Sequence, residues 1–332
     1  MLNQPKQLFS KLIKRNKKPI RFAIKLIDKQ MSEIAVIGAG TMGNGIAHSF
    51  AQHGYSVLLI DTQAAGLQKG LDTIAKNLDR QVAKELISAQ DKINILSRIK
   101  PLQSIDQQIS NCDLVVEAAS ENFDIKALIF KKLDELCKPT CILASNTSSI
   151  SITKIAAQTH RPDKVIGMHF MNPVPVMKLV EIINGYSTSN ETTEKVIQWS
   201  KSLQKNPVPA NDYPGFVANR ILMPMINEAI LTLQEGVAGV SEIDQIMKLG
   251  MAHPMGPLQL ADFIGLDVCL SILKVLHEGF GNPKYAPSAL LVNMVMAGHL
   301  GVKSKNGFYD YSEGSKELKV AAQFKNKTLL LV

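Results

Sequence analysis

His169 and Glu181 are the two residues whose types and spacing are best suited to chemistry. They lie twelve positions apart in the apolar stretch GMHFMNPVPVMKLVEI, residues 167–182. The flanking runs are strand-like, and Pro173 and Pro175 favour turns, so the chain is predicted to fold back and pair the two side chains. An imidazole whose second nitrogen is held by a carboxylate keeps one tautomer and exchanges a proton through the other nitrogen.

Such a pair supplies the general base for the oxidation of a secondary alcohol, and the same group acts as the acid in the reverse reaction. The alternative is a core histidine whose ring is satisfied by a backbone carbonyl, the common outcome for a single histidine in a strand. His169 falls near the end of a late strand, where open α/β sheets place their ligand crevice. The pattern therefore predicts an alcohol dehydrogenase site that needs no metal.

A glycine-rich loop indicates the hydride acceptor. The segment GAGTMG, residues 38–43, fits G-x-G-x-x-G, follows the buried strand-like run EIAVIG and opens a helix-like segment, the context that dinucleotide binding requires. The first glycine permits a tight turn, the second lets the backbone approach a pyrophosphate, and the third lets the helix pack on the strand. The predicted cofactor-contacting residues of this loop are Gly38, Gly40, Thr41, Met42 and Gly43.

An acidic residue ends the second predicted strand. Asp61 lies 18 residues after Gly43, where a carboxylate accepts hydrogen bonds from the ribose hydroxyls and repels a 2′-phosphate. This arrangement favours NAD over NADP as the cofactor. The alternative is an ordinary glycine-rich turn followed by a surface aspartate. That alternative does not explain why a strand, a loop, a helix, a second strand and an acid follow one another in this order.

Small polar residues cluster in the segment SNTSS, residues 145–149, at the end of a further predicted strand. Any one of them can cap the following helix, whereas the Ser148 hydroxyl can also contact the substrate or the nicotinamide. Asn219 is a polar residue in an apolar helical segment, and its amide can orient a substrate carbonyl across a domain cleft. The sequence alone therefore does not decide between a structural and a functional role for Ser148 and Asn219.

Strand-like and helix-like runs alternate through the first two thirds of the chain. Strands are predicted over residues 33–38, 55–61, 113–119, 141–146 and 164–170. The polar stretch from 63 to about 110 predicts a helical excursion of two helices. The alternation predicts an α/β fold with a Rossmann-like, doubly wound parallel sheet. Beyond NDYPGF, residues 211–216, apolar-faced helical segments predict an all-α C-terminal domain.

The composition excludes several classes of protein. The net charge is +8, but residues 1–30 hold nine of the 37 Lys and Arg residues and one of the 29 Asp and Glu residues. The rest of the chain is therefore neutral, and no nucleic-acid partner is expected. No apolar run approaches about 18 residues, so no membrane span is expected. The four cysteines form no C-x-x-C pair, which predicts structural thiols and no metal site.

The basic leader, residues 1–31, has three interpretations. The first interpretation is a mitochondrial transit peptide, and the second is a helix that binds a membrane surface or a partner. The third is a stretch upstream of the true start of translation at Met31. Its many lysines and few serines argue against a transit peptide. We expect a disordered or loosely helical appendage and a cytoplasmic protein, with the mitochondrial matrix as the alternative.

The segments described so far carry a family resemblance. In order between residues 33 and 311 the chain contains IAVIGAGTMGNGIA, DLVVEAASEN, LASNTSSISIT, GMHFMNPVPVMKLVEII, DYPGFVANRIL, MKLGMAHPMGPLQLADFIGLD and GVKSKNGFYDY. It resembles the L-3-hydroxyacyl-CoA dehydrogenase family, and within it the short bacterial 3-hydroxybutyryl-CoA dehydrogenases. The resemblance implies a homodimer that oxidises a (3S)-3-hydroxyacyl-CoA thioester reversibly with NAD, in fatty-acid β-oxidation or butanoate metabolism.

The resemblance also implies roles for individual residues. His169 matches the family's catalytic base, Glu181 its carboxylate partner, Ser148 the catalytic-site serine and Asn219 an asparagine that holds the substrate. Besides the glycine loop, the residues that match the dinucleotide site are Asp61, Glu121, Lys126, Ser148, Asn172 and Lys303. The family's CoA contacts lie in the helical excursion. The candidate phosphate partners there are Lys69, Lys76 and Arg80, although solvated helix charges are the commoner explanation.

Four regions are expected: the leader (1–31), an NAD-binding domain (32–212), a helical substrate and dimerisation domain (213–311) and a tail (312–332). Two other functions stay open. A dehydrogenase of free hydroxy acids, such as a gulonate-type enzyme, is separable by a substrate panel with and without CoA. A non-catalytic scaffold that keeps the fold is separable by NAD binding without turnover.

Overall fold

A computed structural model describes residues 32–312 and 318–325 of the chain. The predicted leader lies outside the described residues, as do residues 313–317 and 326–332 of the predicted tail. Within the described part of the chain, no helix combines the length and the apolar composition that a membrane crossing requires.

The first domain is built on an eight-stranded sheet. Its strands are β1 (Glu33–Ile37), β2 (Ser56–Ile60), β3 (Ile99–Leu102), β4 (Leu114–Glu117), β5 (Ile142–Ser145), β6 (Val165–Phe170), β7 (Leu179–Asn184) and β8 (Asn206–Asn211). The spatial order is β3-β2-β1-β4-β5-β6-β7-β8. Neighbouring strands are parallel except β6 and β7, which are antiparallel. The predicted Rossmann-like fold is confirmed, with a sheet that is mostly rather than wholly parallel.

Helices cover both faces of this sheet. They are α1 (Thr41–Gln52), α2 (Ala64–Ala83), α3 (Ala89–Ser97), α4 (Phe123–Leu136), α5 (Ile152–Ala156) and α6 (Asn190–Ser202). Along β1, Ile34 and Val36 pack into the core on one face, and Ala35 and Ile37 pack into the core on the other. Because both faces are buried, the strand reads as one continuous apolar run in the sequence.

The segment between β2 and β4 differs from the prediction. The two expected helices are present as α2 and α3, but the chain then returns to the sheet as the edge strand β3. This strand contains Pro101, and the opposite edge strand, β8, contains Pro207 and Pro209. Proline cannot donate a hydrogen bond to a neighbouring strand and is tolerated at sheet edges. The prolines therefore hid both edge strands from a sequence-based prediction.

The second domain is helical, as predicted. Its helices are α7 (Ala218–Gln234), α8 (Val240–Gly250), α9 (Pro257–Ile264), α10 (Leu266–Phe280) and α11 (Ala289–Met296), which enclose a core of their own. Part of the predicted tail packs on this core. There β10 (Lys319–Val320) pairs with β9 (Tyr309–Asp310), and α12 (Ala322–Lys325) places the Phe324 ring 5.7 Å from the Phe308 ring, centroid to centroid.

Candidate active site

The antiparallel pairing of β6 with β7 places His169 directly opposite Glu181. The imidazole Nδ1 lies 2.8 Å from the carboxylate Oε2, and the two residues are 9% and 4% exposed. Residues opposite each other in a sheet point to the same face, so the sheet register itself brings the two side chains together. The structure thus pairs the two residues as predicted, while their catalytic role stays a prediction.

Glu181 is held ionised by the groups around it. Its Oε1 accepts a hydrogen bond from the backbone N–H of Ala218, 3.2 Å away, at the start of α7. Burial by itself raises the pKa of Glu181, but the hydrogen bond and charge of His169 and the N–H groups of Val217 and Ala218 outweigh it and lower the pKa below its ordinary value. An ionised carboxylate only accepts hydrogen bonds, so Nδ1 of His169 is the donor, which leaves Nε2 for proton exchange.

Phe216 packs against the imidazole and was missed by sequence reasoning. Its ring centroid lies 6.0 Å from that of His169. It has a left-handed backbone, with φ of +50°, directly after Gly215, with φ of +73°. A non-glycine residue in this conformation is strained by about 1–2 kcal/mol, and such strain tends to collect at functional sites. Neither the conformation nor the ring contact is encoded in a local sequence pattern.

Glu121 organises the polar turn that follows β5. Its Oε1 accepts hydrogen bonds from Thr147 Oγ1 (2.6 Å), Ser148 N (3.0 Å), Ser149 N (3.1 Å) and Ser149 Oγ (2.9 Å). Burial raises the pKa of Glu121, but these donors and the ammonium of Lys126 together lower it below its ordinary value. The structure therefore brings the predicted residues Glu121 and Ser148 into one hydrogen-bonded cluster.

Lys126 lies beneath this cluster in a buried ion pair. Its Nζ is 2.7 Å from Glu117 Oε1 and 3.4 Å from Glu121 Oε2. Glu117 ends β4, is fully buried, and accepts a second hydrogen bond from Ser145 Oγ at 2.6 Å. Sequence reasoning missed Glu117, although an acid that ends an apolar strand was the same pattern that identified Asp61. Its partner Lys126 lies on α4, so the pairing depends on how that helix packs against the end of β4.

Asn219 links the second domain to the polar turn that follows β5, residues 146–149, which we call the serine turn. It lies in the first turn of α7, and its Nδ2 donates a hydrogen bond to the backbone oxygen of Ser148 at 3.2 Å. Lys303, by contrast, is engaged within the second domain, where its ammonium forms an ion pair with Asp267 at the start of α10. Its predicted contact with the dinucleotide stays a prediction.

The glycine loop has the geometry that its sequence pattern predicts. Gly38 has a φ of +93°, and a Cβ there would lie 2.6 Å from the backbone oxygen of Ala118. A Cβ at Gly43 would lie 1.8 Å from the backbone oxygen of Gly38, so α1 packs against the loop as only glycine allows. At Gly40, in contrast, a Cβ would meet no atom within 4 Å. The loop is therefore closed where it packs on protein and open at its middle glycine.

A cavity of about 290 Å³ lies beside this open side of the loop. Asn172 lines it from the β6–β7 connection, together with the loop residues Gly40 and Thr41, and Lys69 lines it from α2. Asp61 stands at the end of β2, where its Oδ2 accepts the N–H of Ala39 at 2.8 Å. An uncapped helix start, a glycine that leaves room for phosphate and an ionisable acid at the next strand end fit a dinucleotide.

For the remaining candidate residues, all of which lie in the described part of the chain, the structure shows no contact that supports a role in ligand binding. Lys76 and Arg80 are exposed on α2, and Arg80 hydrogen-bonds Asn77, so phosphate contacts from both stay predictions. The four cysteines are free and buried. Among residues 32–312 and 318–325, no three His, Cys, Asp or Glu side chains are grouped as a metal ion requires, and the metal-free mechanism stays a prediction.

Two family models match consecutive parts of the chain. Residues 33–213 match the NAD-binding domain of 3-hydroxyacyl-CoA dehydrogenase, and residues 215–311 match the C-terminal domain of the same family. The chain belongs to the 3-hydroxyacyl-CoA dehydrogenase family. The resemblance found in the sequence motifs is thereby confirmed, as are the class of NAD-dependent dehydrogenase and NAD as the cofactor.

Individual members of the family are similar over most of their length. The chain is 53% identical over 281 residues to a 3-hydroxybutyryl-CoA dehydrogenase of Bradyrhizobium diazoefficiens, which covers 85% of this chain and 96% of the relative. It is 42% identical to the human mitochondrial hydroxyacyl-coenzyme A dehydrogenase, over 85% of this chain and 91% of the relative. The crystal structure of an (S)-3-hydroxybutyryl-CoA dehydrogenase from Ralstonia eutropha superposes with a TM-score of 0.83 at 50% identity, covering 85% of this chain and 100% of the other.

Proposed function

We propose that the protein is an NAD-dependent dehydrogenase of short (3S)-3-hydroxyacyl-CoA thioesters, with 3-hydroxybutyryl-CoA as its preferred substrate. The observation that carries the chemistry is the buried His169–Glu181 pair, 2.8 Å apart and formed by the sheet that also carries the glycine loop. The choice of acyl group is supported by relatives that are 50–53% identical and carry that substrate in their names.

NAD, held by the glycine loop and Asp61, would supply the acceptor for the hydride that leaves C3 of the substrate. His169 takes the proton of the C3 hydroxyl through Nε2, and the ionised Glu181 stabilises the imidazolium that forms. In the reverse direction the same imidazolium returns the proton to the C3 oxygen. The site therefore serves both directions, and the net direction of the reaction follows from the pH and from the concentrations of both substrate forms and both cofactor forms.

The polar residues around the pair orient the substrate. We assign the Ser148 hydroxyl to the C3 oxygen and the Asn219 amide to the thioester carbonyl, which the hydrogen bond between the two residues supports. Holding the reacting groups in a near-attack geometry contributes several kcal/mol to lowering the barrier. Because Asn219 comes from the second domain, both domains take part in substrate binding.

Most of the residues proposed to hold the cofactor lie where the strands of the sheet end, whereas Lys303 lies in the second domain. Gly40 leaves room for the pyrophosphate, and Asp61 accepts the ribose hydroxyls. The Lys126–Glu121 pair lies next to Ser148, between the ribose site and the substrate site in this proposal. The remaining assignments are Gly38, Thr41, Met42, Gly43, Asn172 and Lys303.

We also propose a homodimer formed through the second domain. Ile221, Leu249 and Phe263 are 68%, 82% and 69% exposed on its helices, and an interface through this domain would remove such apolar side chains from water. A cytoplasmic location and a role in β-oxidation or butanoate metabolism belong to the same proposal and rest on the similarity to bacterial relatives.

The test is the oxidation of NADH by purified protein with acetoacetyl-CoA, with longer 3-oxoacyl-CoA thioesters and with free acetoacetate. We expect the highest kcat/KM for acetoacetyl-CoA, and we expect no turnover above background with the free acid. Turnover of free hydroxy acids alone would refute the thioester assignment. Stoichiometric NADH binding without turnover of any compound would instead favour a non-catalytic protein.

A further inference from the structure

Lys205 is a buried lysine that the proposed mechanism does not use. It lies between α6 and β8, and its exposed fraction is 6%. Its Nζ donates hydrogen bonds to the backbone oxygens of Val174 at 2.5 Å and Met177 at 2.7 Å. Lysine is almost never buried unless it is paired, and these two acceptors are carbonyl oxygens rather than carboxylates.

Both carbonyls belong to the connection between β6 and β7, residues 171–178, which we call the clamp loop. This loop starts two residues after His169 and ends three residues before Glu181. Four of its residues line the cavity beside the glycine loop, namely Asn172, Pro173, Val174 and Pro175. The conformation of the clamp loop therefore sets one wall of the cavity proposed for the cofactor.

The clamp loop is held from two sides. On one side Val174 is 2% exposed and packs on α1, where a Cβ added at Gly45 would lie 2.9 Å from the Val174 Cβ. On the other side the Lys205 ammonium binds Val174 and Met177 together. Within the loop, the N–H groups of Val176 and Met177 both donate to the Pro173 oxygen at 3.0 Å. Lys205 thus ties the part of the loop next to Asn172 to the part next to β7.

Among residues 32–312 and 318–325, no acidic group offsets the charge of Lys205. Burial, with a smaller contribution from the charge of Lys178, lowers the pKa of Lys205 to about 8. On the neighbouring helix α1, burial lowers the pKa of His48 to about 4 and lowers that of His53 below its ordinary value. Both histidines are therefore neutral at pH 7. A buried cation without an acidic partner costs stability, and such perturbed groups cluster at functional sites.

We propose that Lys205 is a positioning residue for cofactor binding: its ammonium fixes the clamp loop so that Asn172 and the cavity wall are held ready for the dinucleotide. Its hydrogen bonds go to the loop backbone and not to the His169–Glu181 pair, so it acts on binding more than on proton transfer. The part of this inference that concerns acyl-CoA turnover rests on the proposed function, whereas the part that concerns NADH binding does not.

The test compares Lys205→Met, which keeps most of the apolar stem but removes the donors, with Lys205→Arg, which keeps charge and donors. Lys201→Met removes an exposed lysine from α6 and serves as the matched control. We expect Lys205→Met to raise the Kd for NADH about tenfold in a fluorescence titration, as the loss of hydrogen bonds to two buried carbonyls implies. Amide exchange in the clamp loop should accelerate, while the Arg variant and the control should stay within about threefold of the wild-type Kd.

Kinetics then separate positioning from stability. The KM for NADH should rise by a similar factor in Lys205→Met, whereas kcat should change less than about threefold. A variant with a lower Tm but a wild-type Kd for NADH and unchanged exchange in the clamp loop would overturn the proposal. If the Met variant does not fold, Lys205→Gln, whose shorter amide cannot reach both carbonyls, is measured instead, and a wild-type Kd there overturns it equally. The NADH titration needs no substrate, so an inactive protein would refute the proposed function without deciding this inference.

Discussion

His169 and Glu181 face each other across the antiparallel strand pair of the sheet, with Nδ1 and Oε2 2.8 Å apart. The other oxygen of Glu181 accepts the N–H of Ala218, the first residue of α7. The carboxylate of Glu181 therefore makes two contacts: one with the imidazole in the first domain and one with the backbone at the start of the second domain. The register of two strands positions the pair, and the entry into the helical domain holds the acid in place.

Replacing Glu181 with glutamine keeps the shape of the side chain but removes the charge that we propose stabilises the imidazolium. We expect kcat for acetoacetyl-CoA reduction to fall about 100-fold, while the Kd for NADH, measured by fluorescence, stays unchanged. Glu194→Gln, at an exposed position on α6, is the control. A kcat within about threefold of wild type would show that Glu181 does not support the base.

Alanine substitution should weaken NADH binding at Gly40 and lower the stability of the fold at Gly43. A Cβ at Gly40 meets no atom within 4 Å, and its φ of −61° suits any residue. Gly40→Ala should therefore keep its Tm within about 2 °C of wild type but raise the Kd for NADH at least about tenfold, because the methyl group occupies the space proposed for phosphate. An unchanged Kd would place the pyrophosphate elsewhere.

Gly43→Ala should instead damage the fold. Its Cβ would lie 1.8 Å from the Gly38 oxygen, a distance that only a shift of α1 can relieve. We expect the Tm to fall by about 5 °C or more, as measured by scanning calorimetry without ligand. A variant as stable as wild type would mean that the helix can move away from β1 at little cost.

Glu121→Gln should loosen the serine turn. The amide retains one acceptor oxygen but turns a donor towards Lys126 or towards the N–H groups of Ser148 and Ser149. We expect faster amide exchange in residues 147–150 and a Kd for NADH about tenfold higher. The matched control is Glu135→Gln at an exposed position on α4. Unchanged exchange in the turn would contradict its dependence on Glu121.

Asp262 should make the stability of the second domain depend on pH. It is 1% exposed and accepts the N–H groups of Phe308 and Tyr309, and burial raises its pKa from 3.8 to about 6. The folded state therefore binds this proton more tightly than the unfolded state. The resulting stabilisation is fully present below the ordinary pKa and is lost as the pH rises through about 6.

Asp262→Asn does not titrate, so comparison with the wild type isolates this contribution. The stability of the wild type relative to the variant should fall by up to about 3 kcal/mol between about pH 4 and pH 7.5. Calorimetric unfolding at several pH values measures it. A difference between the two proteins that does not change with pH would show that Asp262 titrates alike in the folded and unfolded states.

Local patterns predicted the parts of the site that local geometry determines. The glycine loop follows from the φ and packing limits of three positions, and the pairing of His169 with Glu181 follows from two apolar runs joined by proline turns. Lys205 could not be predicted in this way, because its two carbonyl partners, Val174 and Met177, lie far away in the sequence. Glu117 fits the pattern of an acid at a strand end, but that pattern does not indicate its pairing with Lys126. The edge strands β3 and β8 were missed because their prolines are acceptable only at a sheet edge.

Asp61 restricts how the cofactor preference of this protein can be redesigned. Its two oxygens accept the N–H groups of Ala39 at 2.8 Å and Gln63 at 2.9 Å, so the acid that we propose to bind the ribose also anchors the glycine loop. Substituting a small apolar residue to admit the extra phosphate of NADP removes that anchor at the same time. An engineered switch therefore has to retain an acceptor for Ala39, as Asp61→Asn or Asp61→Ser does, before basic residues are introduced nearby.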